Sequence, residues 1–431
     1  MTDLCNKSPR LFWGWVVVVG GFVLMSVSYG ARYSFGVFVQ PLTVENGWSR
    51  SVVSITASIN LLAYALGGIL SGRLLDRAAP RWVATAGAVI GAAGFLLCAY
   101  VTSPLGLYLA YGVLYGFGSS WTGTVVVNSS VGKWFVERRG LAIGIASMGT
   151  SFGTITITPL TAWLIERFSV QAGFLAMGGL LLVLGTLIAQ IMLGRTVPEA
   201  YGLRPDGNAP PTPRPRPASR TVASEPLPTG RGIRGDSRFW LLVSCHGTAV
   251  MAAMMAFVHQ VPYAIDTGIE RFAAAASLSV MGVSGLIGQF FFGWVSDRIG
   301  DPKYSAVLGY LVMAAGTVLL LLSRTPESLY AYAAVFGFGY GCLGPLLPII
   351  AADRFGRLNI GAVFGLLTFF VVGVGGAVGP LLGGVVYDLT GSYRMAWLMN
   401  LALLVVSAIG IATLKRTPRP PDRLDKPRRR V

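Results

Sequence analysis

Gly72-Arg73-Leu74-Leu75-Asp76-Arg77 separates two long apolar runs and carries the first dense group of charges in the chain. The same pattern returns 221 residues later as Gly293-Trp294-Val295-Ser296-Asp297-Arg298. Further pairs share this offset: Gly67 and Gly288, Tyr115–Gly118 and Phe336–Gly339, Gly123 and Gly344, and Pro159 and Pro380. A constant offset across several apolar segments predicts a chain made of two related halves.

The composition is that of a membrane protein. Of the 431 residues, 53% are hydrophobic and 12% are charged, with a mean hydropathy of +0.63, whereas a soluble domain carries about 25% charged residues. The net charge of +16 is also compatible with nucleic-acid binding, but the basic residues flank apolar runs, so we expect no nucleic-acid partner. The four cysteines are scattered and have neither metal-ligand nor disulfide spacing, and we predict no metal and no cofactor.

Twelve apolar runs are long enough to cross a bilayer, which takes about 20 residues each. They are 12–39, 50–71, 82–102, 105–132, 140–166 and 171–193 in the first half, and 238–265, 272–296, 304–323, 328–351, 359–387 and 393–414 in the second. The first run is too long for a cleaved signal peptide, so we interpret it as a helix of the mature protein. The fold class predicted is an all-α membrane protein with twelve transmembrane helices in two pseudo-symmetric six-helix bundles.

This pattern divides the chain into four parts. Residues 1–193 form the N-terminal bundle, 194–237 a linker, 238–414 the C-terminal bundle and 415–431 a basic tail. The linker holds nine of the 24 prolines and few residues that could fill a core, so we predict a solvated connection.

The basic residues also predict the orientation. If both termini and the linker share one side, that side holds 28 of the 34 lysines and arginines, and the opposite side holds five. Because cytoplasmic loops are enriched in these residues, both termini are predicted to be cytoplasmic. We expect a monomer in the plasma or inner membrane of the cell.

Two six-helix halves, a basic central loop and a G-x-x-x-D-R pattern after the second run of each half resemble the major facilitator superfamily. The resemblance covers the whole chain and implies the major facilitator fold. In this pattern Gly72 and Gly293 permit close helix packing, and Asp76 and Asp297 can meet a helix N-terminus or a loop arginine. The alternative is that each pattern is only a solvated turn. The gating residues predicted on this basis are Gly72, Asp76, Arg77, Gly293, Asp297, Arg298, Arg138 and Arg139.

Four stretches are similar to the monocarboxylate and oxalate/formate transporter branch of that superfamily: Tyr33–Phe38, Gly47–Arg50, Lys133–Ala142 and His259–Tyr263. The resemblance implies transport of small organic anions. The chain departs from the branch in the eighth run, where Gln289 replaces a substrate-binding arginine and Gly285 replaces an aspartate used in proton coupling.

Arg32 is the single cation that we place inside a predicted span. A charge there is costly, so such residues usually face a cavity or a partner. We therefore predict that Arg32 binds the anion; the alternative is that its side chain extends to the membrane surface. The other predicted substrate contacts are Tyr33, Trp121, Asn128, His259, Gln289 and Tyr340. The alternative is an interhelical hydrogen bond for Gln289, packing for the aromatic residues, and proton sensing or capping of local structure for His259. For His246, packing is the interpretation that we favour.

These features predict a secondary active or facilitative transporter of a small organic anion, either a monocarboxylate or a dicarboxylate, that works by alternating access. We find no ATP-binding motif and predict that the chain is not an enzyme. Coupling to a proton or to a counter-anion is left open. Two alternatives remain: an efflux transporter for amphipathic compounds and a transporter-like sensor.

Overall fold

The computed structural model describes residues 12–48, 50–194, 197–201, 203–207, 235–356 and 360–415. Most of the predicted linker and nearly all of the predicted basic tail lie outside the described residues, as do the first eleven residues. The described chain is helical in both halves, and we number its helices α1 to α12 by the predicted run to which they correspond.

The first half begins with α1 (Trp13–Asn46), α2 (Arg50–Leu75) and α3 (Pro80–Cys98). Four consecutive segments make up α4: Pro104–Leu107, the π-helical Tyr108–Tyr115, Gly116–Trp121 and Thr124–Trp134. A single long helix, α5 (Arg139–Arg167), follows. The last, α6, comprises Val170–Leu180, a π-helical stretch at Leu181–Gly185, and Thr186–Met192. Two short 3-10 turns then lie at Pro198–Tyr201 and Pro205–Gly207.

The second half repeats this order. Its first three helices are α7 (Ser237–Asp266), α8 (Arg271–Arg298) and α9 (Pro302–Leu322). Two segments form α10, Pro326–Tyr340 and Leu343–Phe355. Three form α11, Ile360–Thr368, the π-helical Phe369–Gly375 and Gly376–Thr390. The chain then runs through α12 (Arg394–Ala412).

Eleven helices in the described part of the chain are long and apolar enough to cross a membrane. The predicted run 105–132 is not among them, and α4 is interrupted before Thr124. The backbone of Gly123 is extended there, with φ −93° and ψ −157°. A Cβ on Gly123 would lie 2.8 Å from the Ser119 carbonyl oxygen and 3.1 Å from the Tyr64 hydroxyl. The break therefore occurs where α4 passes very close to α2.

The two halves meet along two seams lined by glycine. In one seam α2 crosses α11, where a Cβ on Gly361 would lie 2.6 Å from the Gly72 carbonyl oxygen. In the other α5 crosses α8, where a Cβ on Gly293 would lie 2.8 Å from the Gly144 Cα. Small residues at these crossings allow backbone-to-backbone contact between helices in lipid. Both seams include the end of the bundle that carries the G-x-x-x-D-R patterns, which we call the motif side; the opposite end is the far side.

Candidate functional site

Arg32 is held inside the first half by the middle of α2. Its Nε and Nη2 donate to the Asn60 Oδ1 atom at 3.2 Å and 3.0 Å, and its Cζ lies 3.9 Å from the centre of the Tyr64 ring. Asn60 lies within α2, and Asp76, which directly follows this helix, is 16 residues further along. That separation corresponds to about 24 Å at 1.5 Å per residue. The guanidinium is thus fixed at a polar position well inside the helix bundle and far from the motif side.

Hydrogen bonds from α4 fix the backbone around this arginine. The Tyr111 hydroxyl donates to the Arg32 carbonyl oxygen at 3.0 Å, and the Tyr115 hydroxyl donates to that of Ser28 at 2.6 Å. The Asn60 Nδ2 in turn donates to the Tyr111 carbonyl oxygen at 2.9 Å. Helices α1, α2 and α4 are therefore joined in one network that orients the guanidinium.

Tyrosine rings surround the guanidinium. The Tyr29 and Tyr64 hydroxyls are hydrogen-bonded at 2.8 Å, and the Tyr29 ring centre is 6.0 Å from the Arg32 Cζ. Tyr33 is 50% exposed, and its phenol is close enough to interact electrostatically with Tyr340 of the second half. This part of α1 is therefore turned toward the second half of the molecule.

Arg32 has no carboxylate partner among the described residues. The salt bridges identified in that part of the chain involve Arg238 and Arg354, and the side chains around the Arg32 guanidinium are the neutral groups Asn60, Tyr64 and Tyr29. Within the described residues, the Nη1 atom makes no hydrogen bond. A guanidinium with one edge bound to an amide and the other edge free is suited to binding a carboxylate.

Gln289 bridges the two halves. Its Nε2 donates to the Thr150 Oγ1 at 3.2 Å and to the Ser151 Oγ at 3.3 Å on α5, while its buried Oε1 has no hydrogen-bond partner in the described residues. In this conformation Gln289 therefore makes hydrogen bonds between helices, which is the alternative to a substrate contact.

The predicted contact Tyr340 lies on α10 in the second half, within electrostatic range of Tyr33 on α1. Its ring packs edge-on against Phe257 with the centroids 4.9 Å apart. Trp121 donates its Nε1–H to the Gly67 carbonyl oxygen at 3.1 Å, and Asn128 is buried with neither amide atom hydrogen-bonded to a described residue.

The two histidines are enclosed in the second half. The His259 Nε2 is 2.8 Å from the Pro380 carbonyl oxygen and its Nδ1 is 3.4 Å from the Tyr393 hydroxyl. The Tyr310 hydroxyl lies 2.6 Å from the His246 Nδ1, whose Nε2 is 3.0 Å from the Leu343 carbonyl oxygen. The structure does not bring His259 to the Arg32 cluster.

On the motif side, each motif aspartate contacts the first turn of a helix from the other half. The Asp297 carboxylate accepts from the Gly140 N at 2.6 Å and the Leu141 N at 2.8 Å at the start of α5. The Asp76 carboxylate accepts from the Ala362 N at 3.2 Å near the start of α11. A carboxylate is favoured at a helix N-terminus, so both contacts stabilise the packing of the two halves against each other on this side.

The charged groups around Asp76 are strongly affected by burial. Desolvation raises the pKa of the Asp76 carboxyl, although the Ala362 amide and Lys133 oppose this shift. Desolvation also lowers the pKa of Lys133, and the charge of Asp76 opposes that shift. Asp76 and Lys133 are therefore close enough for each charge to favour the other.

The predicted gating arginines occupy different positions. Arg77 and Arg298 are exposed, and the Arg298 Cζ lies 4.3 Å from the centre of the Trp294 ring. Arg138 is also exposed, whereas Arg139 is half-buried, donates its Nε–H to the Phe135 carbonyl oxygen at 3.2 Å and interacts electrostatically with Asp297.

In the described part of the chain, two helical halves with eleven apolar spans cross along seams of glycine, which is typical of a membrane transporter. A sequence model of the Major Facilitator Superfamily matches residues 21–288 and 248–431. The chain belongs to the Major Facilitator Superfamily, which confirms the predicted fold class and agrees with the prediction that it is not an enzyme. It is a multi-pass membrane protein.

Curated relatives confirm the predicted relationship to the monocarboxylate branch. Monocarboxylate transporter 12 of Mus musculus is 28% identical over 92% of this chain and 84% of its own length. Monocarboxylate transporter 13 of Bos taurus is 28% identical over 95% of this chain and 91% of its own length. Among solved structures, the transporter FucP in its outward conformation superposes with a TM-score of 0.69 at 15% identity and covers 93% of this chain and 100% of its own. That likeness concerns the fold alone.

Sequence reasoning did not find Asn60, Tyr64 or Asp206. Asn60 and Tyr64 are polar residues four positions apart in an apolar run, so they share a helix face, and that spacing was a usable signal. Asp206 lies in a stretch predicted to be a solvated linker, where nothing local indicates its partner.

Proposed function

We propose that this protein transports small organic anions bearing a single carboxylate across the cell membrane, by alternating access. The observation that carries the proposal is Arg32, a guanidinium inside the bundle that is bonded to an amide and ringed by tyrosines without a carboxylate among the described residues. An arginine inside a membrane usually faces a water-filled cavity or a partner, and a substrate carboxylate would supply that partner. The names of the curated relatives support the same substrate class.

The chemistry of the site favours a monoanion with a small organic group. The Nε–Nη2 edge of the guanidinium is occupied by Asn60, so the substrate carboxylate would bind the Nη1 side. Tyr29, Tyr33 and Tyr340 would then offer ring surface and hydroxyl groups to the rest of the molecule. One carboxylate neutralises one guanidinium, whereas a second carboxylate would remain buried without a partner.

Alternating access follows from the two seams. Closed seams on the motif side would shield the Arg32 site from that side, and separation of α2 from α11 and of α5 from α8 would open it. Following the predicted charge distribution, we propose that the motif side faces the cytoplasm. Movement of the two halves requires that the contacts of Asp76 and Asp297 break in each cycle.

Substitution of Arg32 tests the proposal. Removing one partner of a buried charge pair costs about 3 kcal/mol, which is roughly a 100-fold loss of affinity. Purified Arg32→Ala protein in liposomes should therefore lose uptake of labelled lactate and pyruvate, while Arg32→Lys should retain part of it because the charge remains. Oxalate in parallel tests discrimination against a second carboxylate.

Arg324→Ala is the matched control. Arg324 sits near the far end of α9, where it donates to the Ser323 carbonyl oxygen at 2.7 Å, and it is remote from the Asn60 network. Normal uptake by Arg32→Ala would refute the assignment of the anion site. Efflux of hydrophobic dyes that is unaffected by Arg32→Ala would instead support the alternative of a transporter for amphipathic compounds.

A further inference from the structure

The Asp206 carboxylate is bound to the loop that precedes α5. It accepts hydrogen bonds from the backbone N–H groups of Val136 at 2.8 Å, Glu137 at 2.9 Å and Arg138 at 3.1 Å. Asp206 also has a positive φ of 63°, the single non-glycine residue with this property among the described residues. The aspartate is thus anchored by three contacts to a segment nearly seventy positions away in the chain.

The same loop leads directly into the residues that contact Asp297 of the second half. Two residues after Arg138, the Gly140 N–H donates to Asp297, followed by the Leu141 N–H. The segment 136–141 therefore presents five backbone N–H groups to two carboxylates. One carboxylate, that of Asp206, comes from the linker, and the other, that of Asp297, comes from the motif of the second half.

We propose that Asp206 is a positioning residue, which holds the segment 136–141 in the shape that Asp297 needs to close the motif side. Asp206, in the described part of the linker, then contributes to the gate. This inference rests on the alternating movement proposed above, and it is independent of which anion is carried.

Two opposing effects follow from the geometry. Three hydrogen bonds to an ionised acceptor order the loop before Asp297 arrives, so less conformational entropy is lost on closing. Against this, the two carboxylates repel each other across the same turn, since Asp206 disfavours the charge of Asp297, while Arg139 favours it. The proposal requires that the ordering of segment 136–141 stabilises the closed state by more than the repulsion between Asp206 and Asp297 destabilises it. Removal of the Asp206 carboxylate should therefore lower the closed population.

Two substitutions separate the carboxylate from the backbone conformation. Asp206→Asn removes the charge but retains a side chain that tolerates positive φ, and Asp206→Gly retains only the backbone freedom. Asp236→Asn is the matched control, because Asp236 is a linker carboxylate that caps α7 and bonds to Arg238 within the second half.

The readout is the distance between the halves on the motif side. Spin labels at Ala78→Cys and Ile299→Cys, in the turns that follow α2 and α8, report closed and open populations in the purified protein without substrate. Asp206→Asn and Asp206→Gly should each lower the closed-to-open ratio about fivefold or more, and Asp236→Asn should leave it unchanged. In liposomes the maximal uptake rate should change more than the KM.

An unchanged or raised closed population in Asp206→Asn would overturn the proposal, because repulsion would then equal or exceed ordering. Gly72→Ala serves as a positive control for opening. If that variant and the wild type share one fixed distance, the alternating movement itself fails. Loss of uptake in Arg32→Ala leaves the distance measurement unaffected, so the two proposals can fail separately.

Discussion

An alanine at Gly72 should open the motif side without unfolding either half. A Cβ at this position would overlap the carbonyl oxygen of Gly361 and lie 3.3 Å from the Ala362 Cα, across the α2–α11 seam. Every one of these clashing atoms belongs to the second half. The strain therefore exists while the seam is closed and is relieved when the halves separate.

The size of the effect follows from the crossing distance. The reverse contact, from a Cβ on Gly361 to the Gly72 carbonyl oxygen, would be 2.6 Å, whereas an ordinary contact is 3.4–4 Å. The seam must widen by about 1 Å, and forcing an extra methyl group into a packed interface costs about 1–3 kcal/mol. At the upper end this is roughly a 100-fold shift, so a closed-to-open ratio of about 100 to 1 would fall to about 1 to 1.

Spin-label distances between Ala78→Cys and Ile299→Cys measure this shift, and Gly288→Ala is the matched control. A Cβ at Gly288 would overlap the Phe338 carbonyl oxygen within the second half, so its strain persists in every conformation. Gly288→Ala should lower the melting temperature and leave the distances unchanged. If Gly72→Ala melts like Gly288→Ala and its distance distribution matches that of the wild type, the seam is not a moving interface.

Two further substitutions test the site and the linker. Asn60→Asp would place a fixed carboxylate 3.0 Å from the Arg32 Nη2. Uptake of labelled monocarboxylates should then fall about tenfold or more, because an internal ion pair competes with the substrate. Full uptake would show that Arg32 does not bind the anion. The hydrogen bond from Arg238 lowers the pKa of the Asp236 carboxyl, so this group stabilises the fold above its ordinary pKa of about 3.9, and that contribution is lost as the pH falls through the lowered pKa. Asp236→Ala should therefore melt below the wild type near neutral pH, as expected on loss of an N-cap, and the difference should shrink under acid conditions in calorimetry; a constant difference would contradict the assignment.

The architecture could be predicted from sequence because it depends on properties that are local and repeated. Apolar runs reveal the spans, and Gly72 and Gly293 reveal the duplication since each half needs the same close crossing. The break before Thr124 escaped prediction because no proline marks it, and the Tyr64 hydroxyl that lies close to Gly123 belongs to another helix.

The contacts of the candidate site were less predictable. Arg32 was recognisable as a charge in an apolar run, but its partner Asn60 is 28 positions away, and only the packing of α1 on α2 brings them together. The contacts of Asp206 were still less predictable. The proline-rich sequence around it predicts solvent exposure, and its partners are three backbone N–H groups, which cannot be recognised from the side chains of Val136, Glu137 and Arg138.

Gln289 connects the gate with the choice of substrate. Its amide bonds across the α5–α8 seam, and one of its two polar atoms is buried without a partner in the described residues. Because the amide oxygen is buried without a partner, the contact of Gln289 across the seam is only weakly stabilising. Movement of the halves would let this oxygen accept a hydrogen bond from water or substrate. Because the side chain is neutral, it adds no second positive charge to that of Arg32. A monocarboxylate then brings the site to zero net charge, whereas a dicarboxylate leaves one uncompensated negative charge to be carried through the bundle. If Arg32 binds the substrate as proposed, the neutral Gln289 therefore favours anions of single charge.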